Sequence, residues 1–434
     1  MRFTVIAVAS LVAACGSSTQ VTYEKDVRPL MTARCTSCHV EGGIAPFALT
    51  TYEQVAAVKE AVVVAVKNRT MPPYLAAPGC TEYADDQNLT DAQMAMLEAW
   101  AKDGAPRGTP TGAPPSSTMA LEASLPRVDL TLGMPASWTP VQEPDDYHCF
   151  VIDWPAQADT YVVGFNVKPG NPRVVHHAIA FLIPPERVKS VTDLDAAEPG
   201  PGYTCYGGPG GNASAVAWVG SWAPGVRPTM YPQDTGLLIR PGSKIVLQMH
   251  YNTAAAPNPA DRVDRTSLEL AVSDTVKKKA FIMPWANPEW VRNRKMPIPA
   301  GQADVRHSFQ FDPTGFLRTI SGGVLQNNQA IRIHASGFHQ HMLGTGGRLE
   351  MLRADGASEC LLDVPRWDFD WQRSYAFAAP KTLRVGDQLK LSCSWNNTAE
   401  FQPVMNGVRG PPRDANWGEG TGDEMCLGIL YVSE

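Results

Sequence analysis

The 434-residue sequence has no run of Lys and Arg that could displace counterions from a nucleic-acid backbone. Acidic residues outnumber basic ones, 43 to 37, for a formal net charge of −6. No nucleic-acid partner is expected on that balance. Charge of either sign is sparse, at 18% of residues, which leaves little material for long solvated helices. The apolar N-terminal run Phe3–Ala14 is too short to span a bilayer, and no other segment is long and apolar enough to do so. In place of these features stand 37 Pro and 36 Gly, the punctuation of short strands and turns. The length allows two to four domains and a sizeable core.

The N-terminus, "MRFTVIAVASLVAACGSS", combines Arg2, an apolar core from Phe3 to Ala14, and the small-residue site Val12-Ala13-Ala14-Cys15. It resembles a bacterial lipoprotein signal. The resemblance implies lipidation of Cys15, residues 1–20 as signal and tether, and a membrane held through the lipid anchor. An ordinary secretory signal is the alternative. Either way the chain is secreted across the inner membrane, and the lipidated form would be a periplasmic or outer-membrane lipoprotein. Disulfides persist in that setting. Of the nine cysteines, Cys15 belongs to the signal and Cys35 and Cys38 to a motif described next. The remaining six are an even number, available for pairing.

"ARCTSCHVEGG" contains Cys35-Thr36-Ser37-Cys38-His39. Two thiols at this spacing can form thioethers to the vinyl groups of one covalent haem c, and the adjoining His39 then reaches the iron. A dithiol redox site or half a zinc site would not require His39. A second iron ligand is offered by "RTMPPYL", where Pro72 and Pro73 fix the backbone that presents Met71. Met94 and Met96 lie instead in a helix capped by Thr90 and Gln93 and ended by Gly104 and Pro106, and are expected in the core. Residues 21–106 therefore resemble a single-haem class I cytochrome c, a small all-α domain. The Pro-, Ser- and Gly-rich stretch 107–126 follows as a linker.

From about Arg127 the texture changes to short apolar runs separated by turn residues, as in "TYVVGFNV", "KIVLQMHYN" and "DQLKLSCSW". The expectation is antiparallel sandwich structure. In "GFHQHMLG", His339 and His341 stand two apart, a spacing that puts both on one face of a strand. "QMHYN" adds His250, "RVVHHAIAF" adds His176 and His177, and "GDEMCLG" places Met425 beside Cys426. Adjacent strand residues point to opposite faces, so His176 and His177 can share an ion only across a bulge or turn. His148, His307 and His334 have no motif around them and are expected to be surface or hydrogen-bonded histidines, His334 with the further option of supporting the second site. Trp367, Phe369 and Trp371 alternate as in a half-buried strand and read as core.

Taken in chain order, these four stretches resemble the copper type II monooxygenases, the family of peptidylglycine hydroxylase and dopamine β-hydroxylase. The resemblance implies two copper ions, one held by His176, His177 and His250 for electron transfer and one held by His339, His341 and Met425 for activating O₂. It implies two jelly-roll-like sandwiches, residues 127–275 and 276–434. It also suggests disulfides Cys149–Cys205 and Cys393–Cys426, leaving Cys80 and Cys360 available to pair across the modules; sequence does not fix their connectivity. Relatives take their electrons from ascorbate; here a haem on the same chain has matching one-electron chemistry. Peptidylglycine hydroxylases hold a substrate carboxylate through residues that correspond to Gly337, Leu427 and Ile429 here, so an apolar or aromatic small molecule is the expected substrate. The reading is a copper-dependent monooxygenase that hydroxylates a C–H bond with O₂, drawing on an external electron donor. Its rivals are a non-catalytic haem–copper electron-transfer or copper-handling lipoprotein, and a carbohydrate- or partner-binding sandwich with structural histidines.

Overall fold

The computed structural model describes residues 20–434, apart from 42–44, 111, 113–123, 207, 211–216, 225, 254–255, 322–323, 326–329, 406–407 and 419–421. The expected signal and Cys15 lie outside the described residues, as does most of the 107–126 linker. Among the described residues no helix is long and apolar enough to cross a membrane.

The N-terminal module is helical. An opening turn, Tyr23–Val27, runs into the helix Arg28–Arg34, and the helices Tyr52–Ala57, Lys59–Lys67 and Asp91–Lys102 follow. Thr90 and Gln93 form the capping box foreseen from their spacing: the hydroxyl accepts from the Gln93 N–H, and the Gln93 side chain accepts from the Thr90 N–H. The closing helix ends at Gly104, whose φ of +82° suits a residue without a Cβ. Tyr23, Leu30, Met31, Leu97 and Trp100 make the core, with Met94 and Met96 packed against it.

The rest of the chain is mainly β. A nine-stranded sheet takes strands from both expected halves, including Thr160–Lys168 and Ser267–Ser273 from the first and Ile331–His339, Ser374–Leu383 and Leu427–Ser433 from the second. The two halves join where Lys278–Trp285 pairs with Thr235–Ile239 on one side and Leu427–Ser433 on the other. The first of those pairings is parallel, so the expectation of two separate, purely antiparallel sandwiches is corrected: one sheet is common to both. A five-stranded sheet covers the first half and carries the His-pair strand Val175–Ile183 beside Lys244–Asn252. A four-stranded sheet, with Gly344–Leu352 and Gln388–Trp395 at its centre, covers the second. Two apolar cores fill the spaces between these layers.

Three disulfides staple the molecule: Cys149–Cys205, Cys393–Cys426 and Cys80–Cys360. The last ties the N-terminal module to the second β half. Around it the Ala84 N–H donates to the Ala376 carbonyl and the Ala378 N–H to the Glu82 carbonyl, so residues 82–84 dock along the edge of Ser374–Leu383. Tyr74, Tyr83, Tyr375 and Phe377 pack their rings over the same seam.

Candidate metal centres

His177 lies directly across the ladder from His250, whereas the register between Val175 and His177 slips by one residue. That bulge falls on His176. It removes the objection raised by strand alternation, because the extra residue turns the His176 ring to the same side as its neighbour. The Nδ1 atoms of His176 and His250 are 3.1 Å apart, and those of His250 and His177 3.2 Å. One nitrogen from each ring falls within 4.8 Å of the others, a spacing that can hold a metal ion.

The supporting contacts fix each ring. His250 Nε2 meets Asp145 Oδ1 at 2.8 Å, which leaves Nδ1 to face the cluster, and Tyr147 stacks on its ring at 4.1 Å. His176 Nε2 lies 3.3 Å from Asp370 Oδ1. Burial holds His177 and His250 well below the usual imidazole pKa, and the neighbouring imidazoles add to the shift. Both therefore present neutral donors, the form a metal binds.

His339 closes the strand Ile331–His339, and His341 lies in the turn after it, so the expectation of two residues within one strand is corrected. Their rings still meet, with centroids 5.1 Å apart. Burial, with His341 close by, brings the His339 pKa down to about 3, and its Nδ1 is 2.5 Å from Gln372 Oε1. His341 Nδ1 donates to the Asp423 carbonyl at 3.0 Å. Glu424 accepts from the backbone N–H groups of His341 and Leu343 and from Trp395 Nε1. It thereby binds the turn bearing His341 to the segment that carries Met425, just before the strand Leu427–Ser433. Burial pushes its carboxyl up to about 7, against the pull of those donors.

A cavity of about 530 Å³ lies between the two clusters, lined by His177 on one side and by His339, His341 and Met425 on the other. Phe369 stands between them, its ring 6.2 Å from His250 and 6.3 Å from His341. Trp367 is buried in the core as expected, but residues 366–373 form no strand; the segment crosses between the two histidine clusters. Phe369 and Gln372 lie at the candidate site, and alternation alone misassigned or passed over them. The other histidines have polar partners outside the clusters: His148 with the Pro201 carbonyl, His307 with the Pro297 carbonyl and His334 with Ser433 Oγ.

Cys35, Cys38, His39 and Met71 line a second cavity, of about 590 Å³. Both thiols are free, whereas the other six described cysteines are paired. Burial pushes the Cys35 thiol up to about 12. His39 Nδ1 donates to the Phe47 carbonyl at 3.0 Å, which leaves Nε2 as its open acceptor. Two unpaired thiols, an imidazole with one free lone pair and a thioether around an apolar space suit a covalently attached haem.

Comparison with known proteins gives the class, a copper-dependent oxidoreductase. Residues 130–257 match the N-terminal domain of the copper type II ascorbate-dependent monooxygenases, and residues 320–433 match the C-terminal domain. Together these stretches make up more than half of the chain, which belongs to that family and is a copper-dependent monooxygenase. Among solved structures the chain superposes on the infectious bursal disease virus VP2 subviral particle with 10% identity, 70% of each chain covered and a TM-score of 0.15. It superposes on an insecticidal delta-endotoxin from Bacillus thuringiensis with 9% identity, 79% of this chain and 62% of the other covered, and a TM-score of 0.13. Likeness that slight carries no argument.

Proposed function

We propose that the protein hydroxylates a C–H bond of an apolar or aromatic small molecule with O₂, using two copper ions and a covalent haem c. His176, His177 and His250 would hold one copper, and His339, His341 and Met425 the other. The thioether suits cuprous copper, while imidazole suits both oxidation states. Cys35 and Cys38 would attach the haem, and His39 and Met71 would hold its iron. The metals supply one-electron chemistry; the chain positions them, shapes the pocket and keeps water from the reacting bond.

The observation that carries this reading is that His177, His339, His341 and Met425, from distant parts of the sequence, all face one cavity. Trp222, Phe281, Phe338, Phe369 and Ile429 complete much of its wall. Such a lining gains most from an apolar guest, at about 25 cal/mol per Å² of surface removed from water. The position of the family's charged clamp is Gly337 here, where an added Cβ would be tight against its neighbours, 3.2 Å from the Ile429 Cβ and 3.3 Å from the Ser374 Oγ. Arg373 does reach the cavity's edge, but its guanidinium lies over Tyr74 and Tyr375. An external one-electron donor would reduce the haem, and Cys15 would carry the lipid that keeps the secreted protein on a bacterial membrane.

The test is metal analysis joined to oxygen consumption with a panel of aromatic and aliphatic compounds. Two coppers and one iron per chain, with uptake coupled to an oxygenated product, support the proposal. Metals without uptake leave an electron carrier or copper-handling protein.

A further inference from the structure

The 590 Å³ cavity that holds the thiol pair is not walled by the N-terminal module alone. Arg173, His176, Asp370 and Trp371 face it from the copper-binding part. Its volume falls within the roughly 300–1,000 Å³ of ordinary cofactor pockets. His176 therefore occupies two settings. Its Nδ1 belongs to the three-histidine cluster, 3.1 Å from His250 Nδ1, while the residue also borders the cavity of Cys35, Cys38 and His39. Asp370, 3.3 Å from His176 Nε2, sits on the same border.

We propose that the copper-binding part completes the haem pocket, and that His176, positioned by Asp370, is the wall shared by the haem site and the three-histidine metal site. This rests on the reading of Cys35–His39 as a haem attachment motif. The sequence pattern alone gives a self-contained cytochrome joined by a tether; the structure gives one cofactor pocket built from both parts of the chain. A consequence follows from charge. A divalent cation at the three-histidine cluster is one side chain from the haem cavity, and added positive charge there favours the reduced, less positive haem. The haem's midpoint potential must rise when that cluster is filled.

Zinc alone is the probe, because it carries the charge without redox chemistry. Full-length, haem-bearing, copper-stripped protein is titrated with Zn²⁺ and the haem potential followed spectroscopically. The expected result is a rise that saturates as the three-histidine cluster fills, is lost in His176→Ala and survives in His339→Ala. Asp370→Asn keeps the imidazole but removes its partner, and should need about 10–100-fold more zinc for the same rise. Trp371→Ala should shift the haem absorption band with no zinc present. A wild-type potential that ignores zinc, or a rise undiminished in both His176→Ala and Asp370→Asn, overturns the shared wall. Absence of covalently bound haem from the purified protein instead overturns the attachment reading on which it rests.

Discussion

Removing the Glu424 carboxylate should destabilise the second β half more than any single contact there suggests. Three donors converge on it: the backbone N–H of His341 at 3.0 Å, that of Leu343 at 2.7 Å and Trp395 Nε1 at 2.9 Å. Glu424 itself is 1% exposed, so bulk solvent does not reach these donors. Each buried donor left without a partner costs about 1–3 kcal/mol. Against this stands the cost of burying the carboxylate at all, visible in a pKa pushed up to about 7. The net for Glu424→Ala is then about 3–5 kcal/mol, the range for removing one partner from a buried charged network. Glu424→Gln keeps the volume and one acceptor oxygen, and should cost about 1–2 kcal/mol, near the net worth of an ordinary hydrogen bond or two. Urea unfolding of the metal-free protein reads both as shifts in midpoint at an unchanged slope. Zinc binding at His339 and His341 should weaken in the same order, since the turn carrying His341 loses its anchor. A cost below about 1 kcal/mol for the alanine variant refutes the reasoning, because three buried donors cannot be orphaned so cheaply.

Asp145→Asn should lower zinc affinity at the three-histidine cluster about 10–100-fold by loosening His250, and calorimetry showing an unchanged affinity would contradict that role. Burial brings the His334 pKa down to about 4, below the unfolded value near 6.5, so the folded protein binds fewer protons. The resulting stability is present above pH 6.5 and lost as pH falls toward 4. Between pH 7 and pH 4 the wild type should lose about 3 kcal/mol more than His334→Gln, and parallel unfolding curves for the two would dismiss the idea. Paired Cys80→Ser and Cys360→Ser substitutions open a link spanning 280 residues and should cost about 2–5 kcal/mol. Faster proteolysis around residues 74–88 is the expected sign, and an unchanged digestion pattern would argue against the clamp.

Local pattern made some features legible and left others hidden. The Thr90–Gln93 cap and the helix it starts follow from spacing within one turn, and the structure contains them. The β texture after Arg127 was equally visible in alternating runs. The sheet joining both halves was not, because the pairing of Lys278–Trp285 with Thr235–Ile239 is a long-range choice that no local period encodes. At the candidate sites the motifs named the histidines but not what steers them. Asp145 supports His250 only because two strands align in a particular register, and Asp370 and Gln372 arrive from a segment whose alternation suggested a strand. Glu424 stood beside Met425 in the motif itself, yet burial and three donors are properties of the folded chain. The bulge at His176 was posed by the sequence as a requirement, since two neighbours on a regular strand face apart, and the register slip meets it.

Because a single sheet runs through both copper-binding parts, neither is a free-standing unit. A cut near residue 275 would expose two raw strand edges, open to pairing with other chains. Coexpressed fragments would then have to find each other before sticking to strangers. Exchanging one half for that of a relative would likewise demand a matching seam.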